Sequence, residues 1–312
     1  MAFAMVFPGQ GSQSLGMLAA LAEQEPLITD TFAEASDVLG YDLWQLCQQG
    51  PEEQLGSTEK TQPAMLAAGV ATWRVWRKHG GPMPAAMAGH SLGEYTGLVC
   101  AESIDFKTAV GLVRFRGQAM QNAVPAGQGA MAAILGVEDA DVVAGCAEAA
   151  QGEIVQAANF NSPGQVVIAG QKAAVERAIE VLKTKGAKRA LILPVSVPSH
   201  TALMQPAADR LAERLQGIEF NVPVTKIYTV EMQVHQNATG IRNALCAQLV
   251  GPVRWTEMVR AILNQGIKTV IECGPGKILT GLNRRIERNK EFTMLAIEDP
   301  ASLGDALTAV KE

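Results

Sequence analysis

The segment Met87–Tyr95, with the sequence Met-Ala-Gly-His-Ser-Leu-Gly-Glu-Tyr, decides the fold class. Small apolar residues precede it, and a run typical of a helix, Leu92–Cys100, follows it. A Gly-x-Ser-x-Gly pattern between a strand and a helix is typical of a sharp turn that lifts the serine, here Ser91, above the edge of a sheet. We call this turn the elbow, and the helix that follows it the elbow helix. Glycines flank such a turn because side chains there would collide with the neighbouring strand or helix. Since the chain has 30 glycines, an ordinary tight turn stays an alternative until the remaining sequence is considered.

Composition limits the class of protein. With 312 residues, the chain can form one large domain or two smaller ones. A hydrophobic content of 48% and a charged content of 18% are typical of a compact soluble protein. The net charge of −5 and the lack of a basic run argue against nucleic-acid binding. We find no apolar stretch long enough to span a membrane and no basic signal-peptide region before Pro8, so we expect a cytoplasmic protein.

The cysteines predict neither disulfides nor a metal site. There are five, an odd number, they are widely spaced, and none forms a Cys-x-x-Cys pair. A disulfide framework or a zinc site would require pairs at closer spacing. We therefore expect reduced thiols and no bound metal.

Alternating strand and helix patterns predict an α/β protein with a parallel sheet. Within it, the segment 124–197 has the order strand–helix–strand–strand–helix–strand, which is typical of a ferredoxin-like unit. We therefore predict a large subdomain formed by residues 1–123 and 198–312, with residues 124–197 inserted as a small subdomain. We also predict a strand over Pro223–Val230 in the large subdomain.

A nucleophilic serine requires a base, and the chain has four histidines. His90 is adjacent to Ser91 in the turn and is expected to point away from it. His79 ends a polar helix and His235 lies in a polar loop. His200 follows a strand and a proline where the chain re-enters the large subdomain, so it is the candidate base.

The acid of a Ser–His–Asp triad is not evident. In α/β-hydrolases that acid lies between the serine and the histidine in sequence, and here this interval is mostly the inserted subdomain. A backbone carbonyl is an alternative means of orienting His200. Arg116, on the helix after the elbow helix, is either a surface residue like Arg114 or an inward-facing partner for a carboxylate.

Seven segments together resemble the malonyl-CoA:acyl-carrier-protein transacylases of bacterial fatty-acid synthesis. In chain order they are Phe7–Gln13 (FPGQGSQ), Thr61–Ala64 (TQPA), Gly89–Tyr95 (GHSLGEY), Arg116–Gly117 (RG), Asn159–Gln165 (NFNSPGQ), Pro194–His200 (PVSVPSH) and Glu272–Gly276 (ECGPG). Each segment is weak evidence alone, but together they cover nearly the whole chain and are specific. The resemblance implies an α/β-hydrolase-like core with a ferredoxin-like insertion.

The resemblance also implies a role for each matching residue. Ser91 would be the acylated nucleophile, His200 the general acid and base, and Arg116 the group that binds the free carboxylate of malonate. The remaining roles fall to three glutamines and a leucine: backbone N–H groups of Gln10 and Leu92 would form the oxyanion hole, Gln62 would line the pocket, and the main-chain carbonyl of Gln248 would orient the histidine.

The implied activity is transfer of malonate from malonyl-CoA to the phosphopantetheine thiol of an acyl carrier protein, supplying fatty-acid elongation. The cycle would be ping-pong, through a malonyl-serine ester. We expect malonyl-CoA and acyl carrier protein as partners, a monomer, and no cofactor beyond the thioester and the phosphopantetheine of the partner.

One stretch departs from the family pattern. After the strand near Ile227, where the family usually has an Asn-Val run, this chain has Tyr-Thr-Val-Glu-Met over Tyr228–Met232. A free-standing acyltransferase that loads polyketide carrier domains is therefore an alternative. A serine thioesterase or hydrolase on the same scaffold, and a non-catalytic subunit that binds acyl carriers, are further alternatives.

Overall fold

A computed structural model describes residues 2–195 and 197–311. Ser196, within the segment Pro194–His200 that carries part of the family resemblance, lies outside the described residues.

The described residues form nine strands. They are β1 (Phe3–Phe7), β2 (Ala86–Gly89), β3 (Gly129–Leu135), β4 (Val155–Ser162), β5 (Gln165–Gln171), β6 (Arg189–Ile192), β7 (Lys226–Tyr228), β8 (Thr269–Cys273) and β9 (Thr293–Ile297).

Fourteen α-helices and one short 3-10 helix (Ala202–Met204) connect these strands in the described part of the chain. The α-helices are α1 (Ala19–Ala22), α2 (Leu27–Leu39), α3 (Leu43–Gln49), α4 (Glu52–Leu55), α5 (Thr58–Lys78), α6 (Gly93–Cys100), α7 (Phe106–Gln121), α8 (Asp139–Ala150), α9 (Lys172–Thr184), α10 (Gln205–Gln216), α11 (Ala238–Val250), α12 (Trp255–Leu263), α13 (Ile278–Ile286) and α14 (Pro300–Ala309).

Five strands form a parallel sheet in the order β7-β2-β1-β8-β9. Every residue of β1 and β8 is buried. Parallel strands covered on both faces are typically continuous apolar runs, which explains the segment Phe-Ala-Met-Val-Phe of β1. The carboxyl end of β2, next to the centre of this sheet, is where Ser91 follows.

The other four strands form an antiparallel sheet in the order β4-β5-β3-β6. One face, with Ala132, Ile134 and Ile168, packs in a single apolar cluster with residues of α8 and α9, among them Val142 and Leu182. This order and the βαββαβ succession are those of a ferredoxin-like unit, so the predicted fold class is confirmed.

The chain divides into two compact units. The first comprises Met1–Gly117, Ile218–Ile241 and Met258–Glu312 and contains the parallel sheet, while the second comprises Gln118–Gly217 and Arg242–Glu257 and contains the antiparallel sheet. The predicted insertion, 124–197, lies inside the second unit, which also includes α10. The boundaries of the predicted subdomains stay a prediction.

Two sequence predictions are refined by the structure. The five cysteines are free, as expected, and burial raises the pKa of Cys47 and of Cys146 to about 12. The strand expected over Pro223–Val230 is only the three residues of β7, because the backbone N–H of Val224 donates to the carbonyl of Ala101 instead of to a neighbouring strand. Among the described residues, no helix combines the length and apolar character needed to cross a bilayer.

Candidate active site

The turn between β2 and α6 holds Ser91 in a left-handed backbone conformation, with φ of +52°. A Cβ atom on Gly89 would lie 1.9 Å from the carbonyl carbon of Gly93, and a Cβ on Gly93 would lie 2.0 Å from the carbonyl oxygen of Phe7. Neither distance is possible for a real side chain, so both positions require glycine. A non-glycine residue in this conformation costs about 1–3 kcal/mol and is often found where a side chain must be presented for chemistry.

The turn after β1 lies against the elbow. A Cβ on Gly9 would lie 2.3 Å from the carbonyl oxygen of His90, so the two turns touch through their backbones. Gln10 follows directly, and Leu92 is buried at the start of α6. Among the described residues, neither the Gln10 nor the Leu92 backbone N–H donates to a protein acceptor. Both donors are therefore available to an oxyanion at the edge of the parallel sheet.

Arg116 faces inward. It is 1% exposed, and its Nη2 donates to Oγ of Ser91 over 3.1 Å. Its guanidinium lies over the ring of Tyr95, 5.4 Å from the centroid. Burial lowers the pKa of the Arg116 guanidinium, and the neighbouring Tyr95 and Glu94 oppose that shift. Of the two alternatives left by the sequence, the structure shows the inward-facing one, and it places the guanidinium at the hydroxyl of Ser91.

The start of α5 meets the turn of Gln10 and helix α7. A Cβ on Gly117 would lie 2.8 Å from the carbonyl oxygen of Thr58, so α7 runs close to α5 one residue after Arg116. The Thr58 hydroxyl also contacts the side chain of Gln10, whose Nε2 lies 3.4 Å away. Gln62, one turn further along α5, is 1% exposed. Gln62 therefore lies on the same helix that supports Gln10 and α7.

In the second unit, His200 is 4% exposed and has φ of +63°. Its Nδ1 lies 2.7 Å from the carbonyl oxygen of Gln248, and its backbone N–H donates to the carbonyl of Leu249 over 3.1 Å. Because a carbonyl oxygen only accepts, Nδ1 is the donor in this contact and carries a proton. The backbone contact expected from Gln248 is thus present.

The segment after α11 is itself anchored. The N–H of Val253 donates to the carbonyl of Ala158 over 2.9 Å, and the N–H of Phe160 donates back to the carbonyl of Val253 over the same distance. The Thr201 hydroxyl donates to the carbonyl of Pro198 over 2.7 Å, next to His200. The segment after α11 is therefore held by two backbone bonds, and the loop of His200 by a bond from the Thr201 side chain.

Two residues of the first unit gave no signal in the sequence. The Nε2 atom of His235 lies 2.8 Å from Oε1 of Glu94, and their side chains are 1% and 0% exposed. The sequence placed His235 in a polar loop, and an acidic residue in the first turn of a helix, like Glu94, is common for helix stability alone. His79, which ends a polar helix, contacts Glu25, and its side chain is 41% exposed.

Comparison with known proteins identifies the family. The acyl transferase domain family matches residues 4–295. The chain belongs to this acyl transferase family. The malonyl CoA-acyl carrier protein transacylase of Salmonella typhimurium is 57% identical over 307 residues, covering 98% of this chain and 99% of the relative. This acyltransferase is thus a member of the malonyl-CoA:acyl-carrier-protein transacylases, as the seven segments indicated.

Solved structures agree with that assignment. The malonyl CoA-acyl carrier protein transacylase from Coxiella burnetii matches this acyltransferase with a TM-score of 0.98. The two are 50% identical, and the match covers 100% of this chain and 98% of that one. A malonyl-transacylase solved in complex with its type II polyketide acyl-carrier protein has a TM-score of 0.97 and 58% identity, covering 99% of this chain and 100% of that chain. The roles of Ser91, His200, Arg116, Gln10, Leu92, Gln62 and Gln248 stay predictions.

Proposed function

We propose that this acyltransferase moves the malonyl group from malonyl-CoA to the phosphopantetheine thiol of an acyl carrier protein, through a malonyl ester of Ser91. The observation that carries the proposal is the contact between Arg116 and Ser91. A buried guanidinium has lost its hydration, and a carboxylate compensates for that loss through charge-assisted hydrogen bonds. Beside a nucleophilic hydroxyl, it therefore favours an acyl group that carries its own carboxylate.

In the first half of the reaction, Nε2 of His200 accepts the hydroxyl proton as Oγ of Ser91 attacks the thioester carbon. The carbon–sulfur bond then breaks, and the coenzyme A thiolate takes that proton from His200. The contact with the Gln248 carbonyl supports this role, because it engages Nδ1 as a donor and so assigns proton transfer to Nε2.

The tetrahedral intermediate carries a negative oxygen. The backbone N–H groups of Gln10 and Leu92 are the proposed donors to it, and removing one such donor typically costs about 3 kcal/mol of transition-state stabilisation. These donors belong to backbone held by the close contact of Gly9 with His90, so they need little reorganisation when the charge develops.

In the second half, the phosphopantetheine thiol gives its proton to His200, and its sulfur attacks the ester carbon. Oγ of Ser91 leaves and recovers the proton. Throughout, Arg116 holds the carboxylate of the malonyl group, which fixes the acyl carbon and selects against acetate. Gln62 is proposed to line the acyl pocket. The cycle needs no metal or bound cofactor, and we propose a cytoplasmic monomer.

The main alternative concerns the acceptor, which could be a polyketide carrier protein instead of the carrier protein of fatty-acid synthesis. The 58%-identical malonyl-transacylase that was solved with a type II polyketide carrier is a specific reason to consider loading of such carriers. Transfer from radiolabelled malonyl-CoA to a purified fatty-acid carrier and to a polyketide carrier, measured side by side, tests the proposal. Faster labelling of the fatty-acid carrier supports it. Labelling of the polyketide carrier alone would favour an enzyme that loads polyketide carriers. Formation of free malonate by hydrolysis, without transfer to either carrier, would favour the hydrolase alternative.

A further inference from the structure

The two proposed oxyanion donors are supported unequally by the surrounding backbone. At the start of α6, the N–H of Glu94 donates to the carbonyl of Ser91 over 3.1 Å. That carbonyl and the N–H of Leu92 belong to one planar peptide and point in opposite directions, so this bond also orients the Leu92 donor. Gln10 lies in a turn outside the helices and strands, so no helical hydrogen bond orients its N–H.

The turn that contains Gln10, residues 8–12, is packed at its two ends but not in its middle. A Cβ on Gly274 would lie 3.0 Å from the ring of Pro8, and a Cβ on Gly276 would lie 3.4 Å from the carbonyl oxygen of Ser12. Gly11 is exposed, has φ of +105°, and its Cβ would meet no atom of the described residues within 4 Å. Because glycine has the greatest backbone freedom, hydrogen bonds have to hold the middle of the turn.

Two of the hydrogen bonds in this turn are long. The N–H of Ser12 donates to the carbonyl of Gly9 over 3.4 Å, and Nε2 of Gln10 donates to the hydroxyl of Thr58 over the same distance. Hydrogen bonds from N–H groups to oxygen are normally 2.7–3.2 Å long, and they weaken beyond that range. Neither bond is therefore a strong restraint on the turn.

The side chain of Gln13 supplies the short bond. Its Oε1 accepts from the N–H of Gly11 over 2.7 Å. This bond restrains the peptide between Gln10 and Gly11, and so helps to keep the N–H of Ser12 directed at the carbonyl of Gly9. Since that carbonyl and the N–H of Gln10 share one planar peptide, the direction of the Gln10 donor follows from the same arrangement.

We propose that Gln13 is a positioning residue for the oxyanion: its amide oxygen binds the N–H of Gly11 and thereby holds the N–H of Gln10 in the direction that the negative oxygen requires. The proposal rests on the proposed function, since it takes Gln10 as an oxyanion donor. It assigns Gln13 no part in proton transfer or in binding the malonyl carboxylate. Because the bond joins solvent-exposed groups, it contributes little to stability, and its effect on the reaction can be measured separately.

The test compares three variants. Gln13→Met keeps the length of the side chain and removes the acceptor oxygen. Gln13→Glu keeps an acceptor oxygen at the same reach and is the conservative variant expected to restore the function. Gln45→Ala is the matched control, because it removes an exposed amide whose Nε2 lies 3.4 Å from Oε1 of Gln49 on α3.

Each protein is mixed rapidly with increasing concentrations of malonyl-CoA, and the malonyl ester is followed by intact mass. This gives a maximal rate of ester formation and a half-saturating concentration. Thermal unfolding of each variant is measured in parallel, so that a loss of folded protein is distinguished from a slower reaction.

We expect Gln13→Met to lower the maximal rate by about tenfold, less than the roughly 10²- to 10³-fold loss typical of deleting an oxyanion donor. The half-saturating concentration should change by less than about twofold, because the thioester carries no negative oxygen before it is attacked. Gln13→Glu should stay within about threefold of the wild-type rate, since its carboxylate accepts the same N–H. Gln45→Ala should react like the wild type, and the unfolding temperatures should agree within about 3 °C.

Other patterns overturn the proposal. A wild-type rate in Gln13→Met, or equal losses in Gln13→Met and Gln13→Glu, would show that the acceptor oxygen has no role in the reaction. A large fall in the unfolding temperature with an unchanged rate would make the role structural only. If the wild type forms no malonyl ester, the proposed function fails and this proposal fails with it, whereas a normal ester in the wild type and in Gln13→Met overturns only this proposal.

Discussion

Nη2 of Arg116 donates to Oγ of Ser91 over 3.1 Å, so the serine proposed as the nucleophile accepts a hydrogen bond from a buried guanidinium. Oγ is the acceptor in this bond, so the hydroxyl proton is not used in it. In the proposed mechanism, a malonyl carboxylate bound to Arg116 also brings its thioester carbon toward the serine. Acyl selection and nucleophile orientation therefore depend on the same side chain.

Arg116→Ala should separate these two effects. We expect malonyl transfer to fall by about 100-fold or more, the equivalent of losing one buried charge-assisted pair, while acetyl transfer rises relative to it. Arg116→Lys should not restore the malonyl rate, because an ammonium lacks the planar pair of donors. The ratio of kcat/KM for malonyl-CoA to that for acetyl-CoA is the measurement. A ratio unchanged in Arg116→Ala would rule out the carboxylate role.

His200→Ala should slow acylation of Ser91 without preventing malonyl-CoA from binding. General base catalysis typically contributes about 10²- to 10⁴-fold, so we expect a loss of that size in the rate of ester formation, with KM little changed. Rapid mixing with malonyl-CoA followed by intact-mass measurement gives this rate. His79→Ala, at a partly exposed position, is the control and should retain the wild-type rate. Wild-type acylation by His200→Ala would remove the histidine from the mechanism.

Gly89→Ala should prevent stable folding. A methyl group there would need to lie 1.9 Å from the backbone of Gly93, and the central turn has no room to move without displacing β1. We expect a loss of more than about 3 kcal/mol in the free energy of unfolding, seen by denaturant titration. Gly304→Ala on α14, where a Cβ meets nothing within 4 Å, is the matched control and should stabilise by about 0.5–1 kcal/mol. Equal stability of the two variants would contradict the packing described for the elbow.

Glu272 should make stability depend on pH. Burial raises the pKa of its carboxyl from 4.5 to about 7. The Thr280 hydroxyl, which has a single proton, lies 2.7 Å from Oε2 of Glu272 and 3.0 Å from the carbonyl oxygen of Leu295. Backbone N–H groups of Leu279 and Thr280 also donate to this carboxyl and oppose the shift, but burial has the larger effect on the pKa.

The sign of this effect follows from proton binding. Between pH 4.5 and about 7 the folded protein holds a proton on Glu272 that the unfolded chain has lost. The contribution of Glu272 to stability is therefore complete below pH 4.5 and falls by about 3 kcal/mol as the pH rises to 7. Denaturant titration of the wild type and of Glu272→Gln across this range measures the difference, because glutamine does not titrate. Parallel pH dependences in the two proteins would show that Glu272 is ionised throughout.

Local patterns predicted more of this protein than long-range ones. The elbow glycines and the βαββαβ order were predictable, because they depend on residues close in sequence and on the periodicity of apolar positions. The inward orientation of the Arg116 side chain was not predictable. Helix periodicity alone does not show that Gly117 lets α7 approach Thr58 so closely. The Glu94–His235 contact joins residues 141 positions apart, and neither residue type at its place in the sequence signals the other.

The central claim is that Ser91 carries the malonyl group between two thiols. The most direct measurement is the intact mass of the purified protein after incubation with malonyl-CoA and no carrier, followed by mapping of the modified peptide. The account predicts one malonyl adduct, located on Ser91, absent from Ser91→Ala and lost when a carrier protein with a free phosphopantetheine thiol is added. An adduct that persists in Ser91→Ala, or free malonate accumulating with no adduct in the wild type, would contradict it.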